Sequence, residues 1–343
     1  MNKVNFSKKN NYLSNLIVID GFSGSGKILI AELLKAIKDT EVARVEGTFD
    51  YLPIIYSLGQ INQSAADAYL KTLFDRLTYY MIIGREINLR KKDLTFALDH
   101  PYKLNYLKNL FSITPLDSSI EKDIAPIKNL PYMVHMATFN NTLLEEIFNK
   151  RIKIIYTLRD PLYILETYSS YMDRIGNDPR EFTPKISYKN YDLPWYSIGW
   201  EDEFLEINNT EKSIVLINKC LDMLLEKFNS DINKENYHFV FFEDITINTD
   251  YNFMKIKNFL NLDYSPREFA KRKKKNKIPR LTTNIEEGFW KRYTTNNETR
   301  SGYDEKMLLD RNKELASPYY FGELLELRKK YFSIKKIFQN PNS

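Results

Sequence analysis

Leu16-Ile17-Val18-Ile19-Asp20-Gly21-Phe22-Ser23-Gly24-Ser25-Gly26-Lys27-Ile28-Leu29-Ile30-Ala31 is an apolar run that enters a glycine-rich turn and leaves it as a second apolar run. The pattern predicts a buried strand, a tight turn and a helix. Gly21, Gly24 and Gly26 allow backbone N–H groups to converge on an anion at the positive end of that helix. The spacing Gly21-x-x-x-x-Gly26-Lys27 also satisfies most of the pattern of a phosphate-binding loop. The residue after the lysine breaks it. Ile28 stands where a nucleotide triphosphatase needs a Ser or Thr hydroxyl for Mg²⁺. The loop is therefore read as a grip for phosphate, formed by Ser23, Gly24, Ser25, Gly26, Lys27 and Ile28, that is poorly equipped to present a metal–triphosphate.

The chain around this loop has 343 residues, 43% hydrophobic and 14% aromatic, which is a globular composition long enough to bury a large core. Fifty basic residues against 45 acidic leave a net charge of +5. That mild excess suits an anionic small molecule better than nucleic acid. A single cysteine, Cys220, excludes an intrachain disulfide and points to a reducing compartment, the cytoplasm. It lies in an apolar helical run and reads as a buried thiol. No apolar run reaches the roughly 18 residues needed to span a membrane, and the first such run leads into the glycine loop as a core strand rather than a signal peptide.

Strand candidates at 16–20, 43–45, 132–136, 152–158 and 238–242 alternate with helix candidates at about 27–38, 65–85, 142–149, 161–173, 211–228, 251–260 and 317–337. This order predicts an α/β fold, a central parallel sheet flanked by helices. Residues 1–343 are read as one domain. Two stretches lack periodicity: 174–205, rich in aromatic residues, and 265–300, basic and polar. Both read as excursions from the sheet, where lids and substrate contacts are found.

A second anion-binding candidate follows the strand at 152–158. Arg159 ends it, Pro161 suits the first turn of the next helix, and Thr167 lies about two turns along that helix. Arg159 is thus expected at the C-terminal edge of the sheet beside the glycine loop, the usual ligand position in open α/β sheets. A third segment reads Phe241-Phe242-Glu243-Asp244, then Met254-Lys255-Ile256-Lys257-Asn258-Phe259-Leu260-Asn261-Leu262.

These three segments, in this order over residues 16–262, resemble the sulfotransferases that use 3′-phosphoadenosine 5′-phosphosulfate (PAPS), whose fold is similar to that of P-loop nucleotide triphosphatases. The resemblance implies that the loop binds the 5′-phosphosulfate, while Arg159 and Thr167, in place of the family's serine, bind the 3′-phosphate. It implies that the Phe242–Asp244 region packs and orients. It also implies in-line, metal-independent transfer of a sulfuryl group to a hydroxyl acceptor, a carbohydrate among the candidates. The loop departs from the family's Lys/Arg-Ser-Gly-Thr-Thr: the basic residue follows Ser25-Gly26, and both threonines are absent. That departure keeps two alternatives open, a P-loop kinase or triphosphatase acting on a small molecule and a non-catalytic protein retaining the fold.

Sulfuryl transfer needs a base for the acceptor proton and positive charge on the leaving phosphate. Lys27 and the loop amides are candidates for the second role. Two residues compete for the first. His135 ends a strand candidate and resembles the family's Lys-Thr-His segment; an imidazole titrates near neutrality. Glu46 follows the second strand, where other branches of the family carry a glutamate base, and burial would suit it to proton transfer. His135 is preferred. Arg272, Lys275, Lys291 and Arg292 are candidates to cover the 3′-phosphate. The aromatic stretch 174–205 is the candidate acceptor wall.

Overall fold

The computed structural model describes residues 4–339 except 10, 11, 13, 84, 86, 92, 112–128, 137–139, 141, 176, 180, 231–233 and 281–304. Lys291 and Arg292 lie outside the described residues. The core is a parallel five-stranded sheet built from β1 (Asn15–Gly21), β2 (Arg44–Val45), β3 (Asn129–Met133), β4 (Ile152–Leu158) and, after the antiparallel hairpin β5 (Lys185–Tyr188) and β6 (Tyr191–Pro194), β7 (Tyr237–Phe241). The spatial order is β2-β3-β1-β4-β7. The glycine-loop strand therefore sits at the centre, paired with β3 on one side and β4 on the other. The chain leaves β1 toward β2 and β3, then crosses to β4 on the opposite side. That reversal opens a crevice at the C-terminal ends of the central strands.

The near-continuous apolar run of β1 has its cause in this position. Leu16 and Val18 face a layer containing Phe74, Leu144 and Phe148. Ile17 and Ile19 face the opposite layer, with Leu29, Leu33, Phe253 and Ile256. Both faces are covered, so no alternation with polar residues is required. On β4, Tyr156 and Leu158 join a third cluster formed by helices Pro161–Met172, Asn209–Asn229 and Pro318–Gln339. Cys220 is buried in that cluster, and burial pushes its thiol pKa up.

The two excursions carry more structure than their sequences suggest. Within 174–205, the β5–β6 hairpin is followed by helix Glu201–Glu206. Tyr196, Trp200 and Phe204 are buried in the core, whereas Phe182 and Tyr191 are exposed. Residues 266–275 of the basic segment form helix Pro266–Lys275, begun by a Ser265 side chain that accepts from the Glu268 N–H, and carrying its cations in the last turn.

That helix changes the reading of two basic residues. Arg272 is fully buried, with Nη1 at 2.6 Å from Asp99 Oδ2 and 3.4 Å from Glu32 Oε2, and it also engages Glu268. Lys275 reaches the same Asp99 and Glu32 at 2.6 and 3.0 Å, and Lys35 joins at 2.6 Å from Glu32. Both cations tie this helix to Glu32 of helix Lys27–Leu34 and to Asp99, Arg272 fully buried and Lys275 half-exposed. Burial raises the pKa of Asp99, but Lys275, Lys35 and Arg272 outweigh it and hold the carboxyl well below the usual range. A depressed carboxylate stabilises the fold above its unfolded pKa of about 4, and that contribution fades as pH falls below it. Arg272→Met removes a buried guanidinium from Asp99, Glu32 and Glu268, which keep Lys35, Lys275 and Lys271, and is expected to cost about 2 kcal/mol, measured by urea unfolding at pH 7. The difference from the unaltered protein should shrink below pH 4.

Candidate active site

The glycine loop is held open by its own internal bonds. The Ser25 hydroxyl donates to the Phe22 carbonyl at 2.6 Å and lies 2.6 Å from Thr157 Oγ1, which donates to the Asp20 carbonyl at 3.0 Å. This chain fastens the loop to β4. Gly26 caps helix Lys27–Leu34 at φ +105°, with no side chain on the first-turn N–H groups. Those N–H groups have no partner within a helix and face the end of the sheet as an anion site. Glycine is required at Gly26 for a second reason: a Cβ there would lie 2.6 Å from the Phe242 ring.

Lys27 is buried, and its ammonium donates to the Gly21 carbonyl at 2.5 Å. Burial lowers its pKa to about 8, against the opposing pull of Asp20 and Asp50. Ile28 is partly exposed on the same first turn and supplies no metal ligand. Among the described residues there is no cluster of three or more His, Cys, Asp or Glu that could hold a metal ion.

Arg159 and Thr167 meet this loop directly. Arg159 Nη1 donates to the Gly24 carbonyl at 3.1 Å, and a Cβ on Gly24 would lie 3.4 Å from Thr167 Oγ1. The Arg159 guanidinium lies 4.3 Å from the centre of the Phe242 ring, so one aromatic side chain supports both the loop and the arginine. Asp160, beside Arg159 in sequence, has other partners as well. It caps helix Pro161–Met172 through Leu162 N and forms a forked pair with Arg328, at 2.7 to 3.2 Å. Glu243 accepts from Asp160 N at 3.0 Å and from Tyr331 Oη at 2.6 Å, which gives the Phe242–Asp244 region a packing and orienting role. Burial lowers the Arg159 pKa to about 10, and the charge of Arg280 adds to this. Arg280 thus brings a second guanidinium near the first, a residue that the sequence alone did not single out.

His135 and Glu46 separate. β3 ends at Met133, so His135 stands just past the sheet edge rather than within the strand. Its backbone N–H and that of Met136 donate to Asp50, at 2.8 to 3.0 Å, and its Nδ1 lies 3.1 Å from Asp50 Oδ2. Burial pushes the Asp50 carboxyl up, but the His135 side chain and these N–H groups outweigh it and hold its pKa below the usual value. An ionised carboxylate only accepts hydrogen bonds, so Nδ1 is the donor in this pair. Asp50 was invisible to sequence reasoning because it lies 85 residues from its partner, in a helix, Thr48–Ser57, that was not anticipated. Glu46 instead accepts from the N–H and hydroxyl of Thr48, at 3.0 and 2.6 Å, starting that helix.

His135 and Asp50 border a cavity of about 530 Å³ that reaches the glycine loop at Ser23. Its walls include Tyr51, Tyr168, Tyr171, Phe182, Trp195 and Tyr196. The stretch 174–205 therefore supplies part of the wall, joined by Tyr51 and by Tyr168 and Tyr171 of helix Pro161–Met172.

Residues 15–302 match the model of the sulfotransferase domain family. No curated protein matches the chain. Solved structures that it is similar to include the sulfotransferase domain from the curacin biosynthetic pathway, at 16% identity and a TM-score of 0.44, covering 93% of this chain and 98% of that one. The sulfotransferase domain from the Synechococcus PCC 7002 olefin synthase aligns at 12% identity and a TM-score of 0.44, over 95% and 98%. Mouse sulfotransferase SULT7A1 complexed with PAP aligns at 13% identity and a TM-score of 0.37, over 98% and 87%. Among the described residues no helix is long and apolar enough to cross a membrane. With the family match spanning most of its length, this chain belongs to the sulfotransferase family and is a sulfotransferase.

Proposed function

We propose that the protein transfers a sulfuryl group from PAPS to a hydroxyl acceptor, with His135 as base and Asp50 as its positioning residue. The observation that carries this reading is the meeting at Gly24: the loop, Arg159 and Thr167 adjoin there, as two clamps on one doubly phosphorylated nucleotide must. The first-turn N–H groups and Lys27 serve the 5′-phosphosulfate, and Arg159, Thr167 and Arg280 the 3′-phosphate. The acceptor occupies the cavity beside Ser23.

In the transfer step an acceptor oxygen attacks sulfur while His135 Nε2 takes the hydroxyl proton. The new O–S bond forms as the bond from sulfur to the bridging phosphate oxygen breaks, leaving a sulfate ester and 3′-phosphoadenosine 5′-phosphate (PAP). The Asp50 carboxylate stabilises the imidazolium that results, and the buried cations stabilise the charge gathering on the leaving phosphate.

Calorimetry with PAP tests the donor site. Micromolar binding is expected, weakened at least tenfold by Arg159→Ala, since a charged hydrogen bond contributes about 1.5–3 kcal/mol. No binding at millimolar PAP, or binding indifferent to Arg159, overturns the reading.

Lys27 gives a second prediction. With its pKa near 8, this ammonium is partly deprotonated at pH 8, and a bound phosphate raises that pKa again. PAP binding at pH 8 should take up a fraction of a proton, seen as a binding enthalpy that varies with buffer ionisation enthalpy. The uptake should vanish in Lys27→Met and decline at pH 6.5, where the lysine is already charged.

Asp50→Asn is expected to lower kcat about 10- to 100-fold while leaving PAP affinity unchanged. A parallel loss of PAP affinity or of KM for the acceptor, rather than a loss confined to kcat, would reduce Asp50 to a structural role.

A further inference from the structure

We infer that the acceptor is a multi-ring aromatic alcohol or phenol rather than a saccharide. This inference rests on the sulfuryl-transfer reading and narrows its acceptor. The cavity beside His135 is about 530 Å³, within the range of sites that enclose a drug-sized ligand and large for a single phenol ring. Six aromatic side chains contribute to its wall, with Val45, Ile54 and Met136 adding aliphatic surface.

Several polar atoms on this wall are engaged with protein neighbours, and Arg174, which also lines it, lies over the Tyr171 ring at 5.3 Å. Tyr168 Oη accepts from Ser23 N at 3.2 Å. Tyr171 Oη engages Thr183 Oγ1 and lies 3.1 Å from Glu181 Oε1, which also accepts from Thr183 N at 2.7 Å. Tyr196 Oη is directed to the Met172 sulfur at 3.6 Å. The Asp50 carboxylate is taken by His135 and Met136. A ligand entering here meets mostly rings and aliphatic groups, with Arg174 and His135 as polar neighbours. A sugar would bring several hydroxyls that need partners, and each one left unpaired lowers affinity roughly tenfold. An aromatic acceptor needs one polar contact, from its single reacting hydroxyl to His135.

Phe182 is the second observation. It lines the cavity, yet its side chain is 74% exposed. A large ring left in water at the rim of an aromatic cavity gains a partner when a flat ligand enters, through offset or edge-to-face contact. The reaction keeps the balance given above: the aryl oxygen gains the sulfuryl group, its proton goes to His135, and PAP leaves.

The test uses the full-length protein and PAPS with three acceptors: 7-hydroxycoumarin, methyl β-glucopyranoside and 1-decanol. Sulfate ester and PAP are measured together, and acceptor binding to the PAP-loaded protein is measured separately by equilibrium dialysis. Coumarin is expected to bind and be sulfated with kcat/KM at least 100-fold above the glucoside and above the alkyl alcohol. Phe182→Ala should raise KM for the coumarin about three- to tenfold, with kcat and PAP affinity unchanged. Because Phe182 is exposed, the variant is expected to fold. Preference for the glucoside or for decanol, or no coumarin binding to a protein that binds PAP, overturns the inference. Failure to bind PAP counts instead against the donor reading, and coumarin binding to the PAP-free protein then still decides the chemistry of the cavity.

Discussion

The hydrogen bond from Arg159 to the Gly24 carbonyl joins two segments 135 residues apart, and the proposed donor site depends on it. It is possible because β1 and β4 are neighbours in register, with Gly21 opposite Thr157, so the loop after one strand and the arginine after the other emerge side by side. Phe242, at the end of the adjacent β7, makes the arrangement rigid. Its ring fills the space that a side chain on Gly26 would need, and its face lies against the Arg159 guanidinium. Three consecutive strands of the sheet thus each deliver one part of a single anion site.

The electrostatics at the glycine loop differ from those of the Arg272 cluster. The Arg272 cluster is also buried, but three carboxylates answer its cations, and it acts as a fastening between two helices. At the sheet edge the balance is different. Lys27 and Arg159 both have depressed pKa values, with burial the leading cause in each. Asp20 and Asp50 oppose the shift at Lys27, and Glu243 and Tyr163 oppose it at Arg159. A run such as 271–275 spends its cations on ion pairs with carboxylates elsewhere in the fold, whereas these two cations lie buried beside the glycine loop.

The features legible in the sequence were those set by local rules. The central strand, the glycine turn and the helix after it follow from apolar runs and glycine spacing, and β4 with Arg159, Pro161 and Thr167 follows in the same way. Helix Pro266–Lys275 was legible in principle, since Ser265-Pro266 is the same start signal as Ser317-Pro318, but five consecutive basic residues, 271–275, masked its apolar positions. The Asp50–His135 pair was not legible. Nothing local to either residue encodes a contact across 85 positions, and the same holds for Glu46, whose carboxylate is claimed by Thr48 only because a helix starts there.

The proposed donor and acceptor sites differ in how they are encoded, and His135 lines the cavity that reaches the glycine loop at Ser23. A phosphate is recognised by backbone N–H groups and fixed cations at strand ends, so its site is written into the regular part of the fold and shows as motifs. The acceptor cavity draws on the turn and helix after β2, on one face of helix Pro161–Met172, and on the irregular stretch around Glu181–Thr183 and Trp195–Tyr196. These segments share no period, and only the fold brings them together. Their surface can change while the sheet and the glycine turn stay fixed, which is how one scaffold can serve different acceptors. In this chain the aromatic residues that look like surplus core material therefore divide in two. Trp200 and Phe204 complete the packing, while Tyr51, Tyr171, Phe182 and Trp195 face the cavity beside the base.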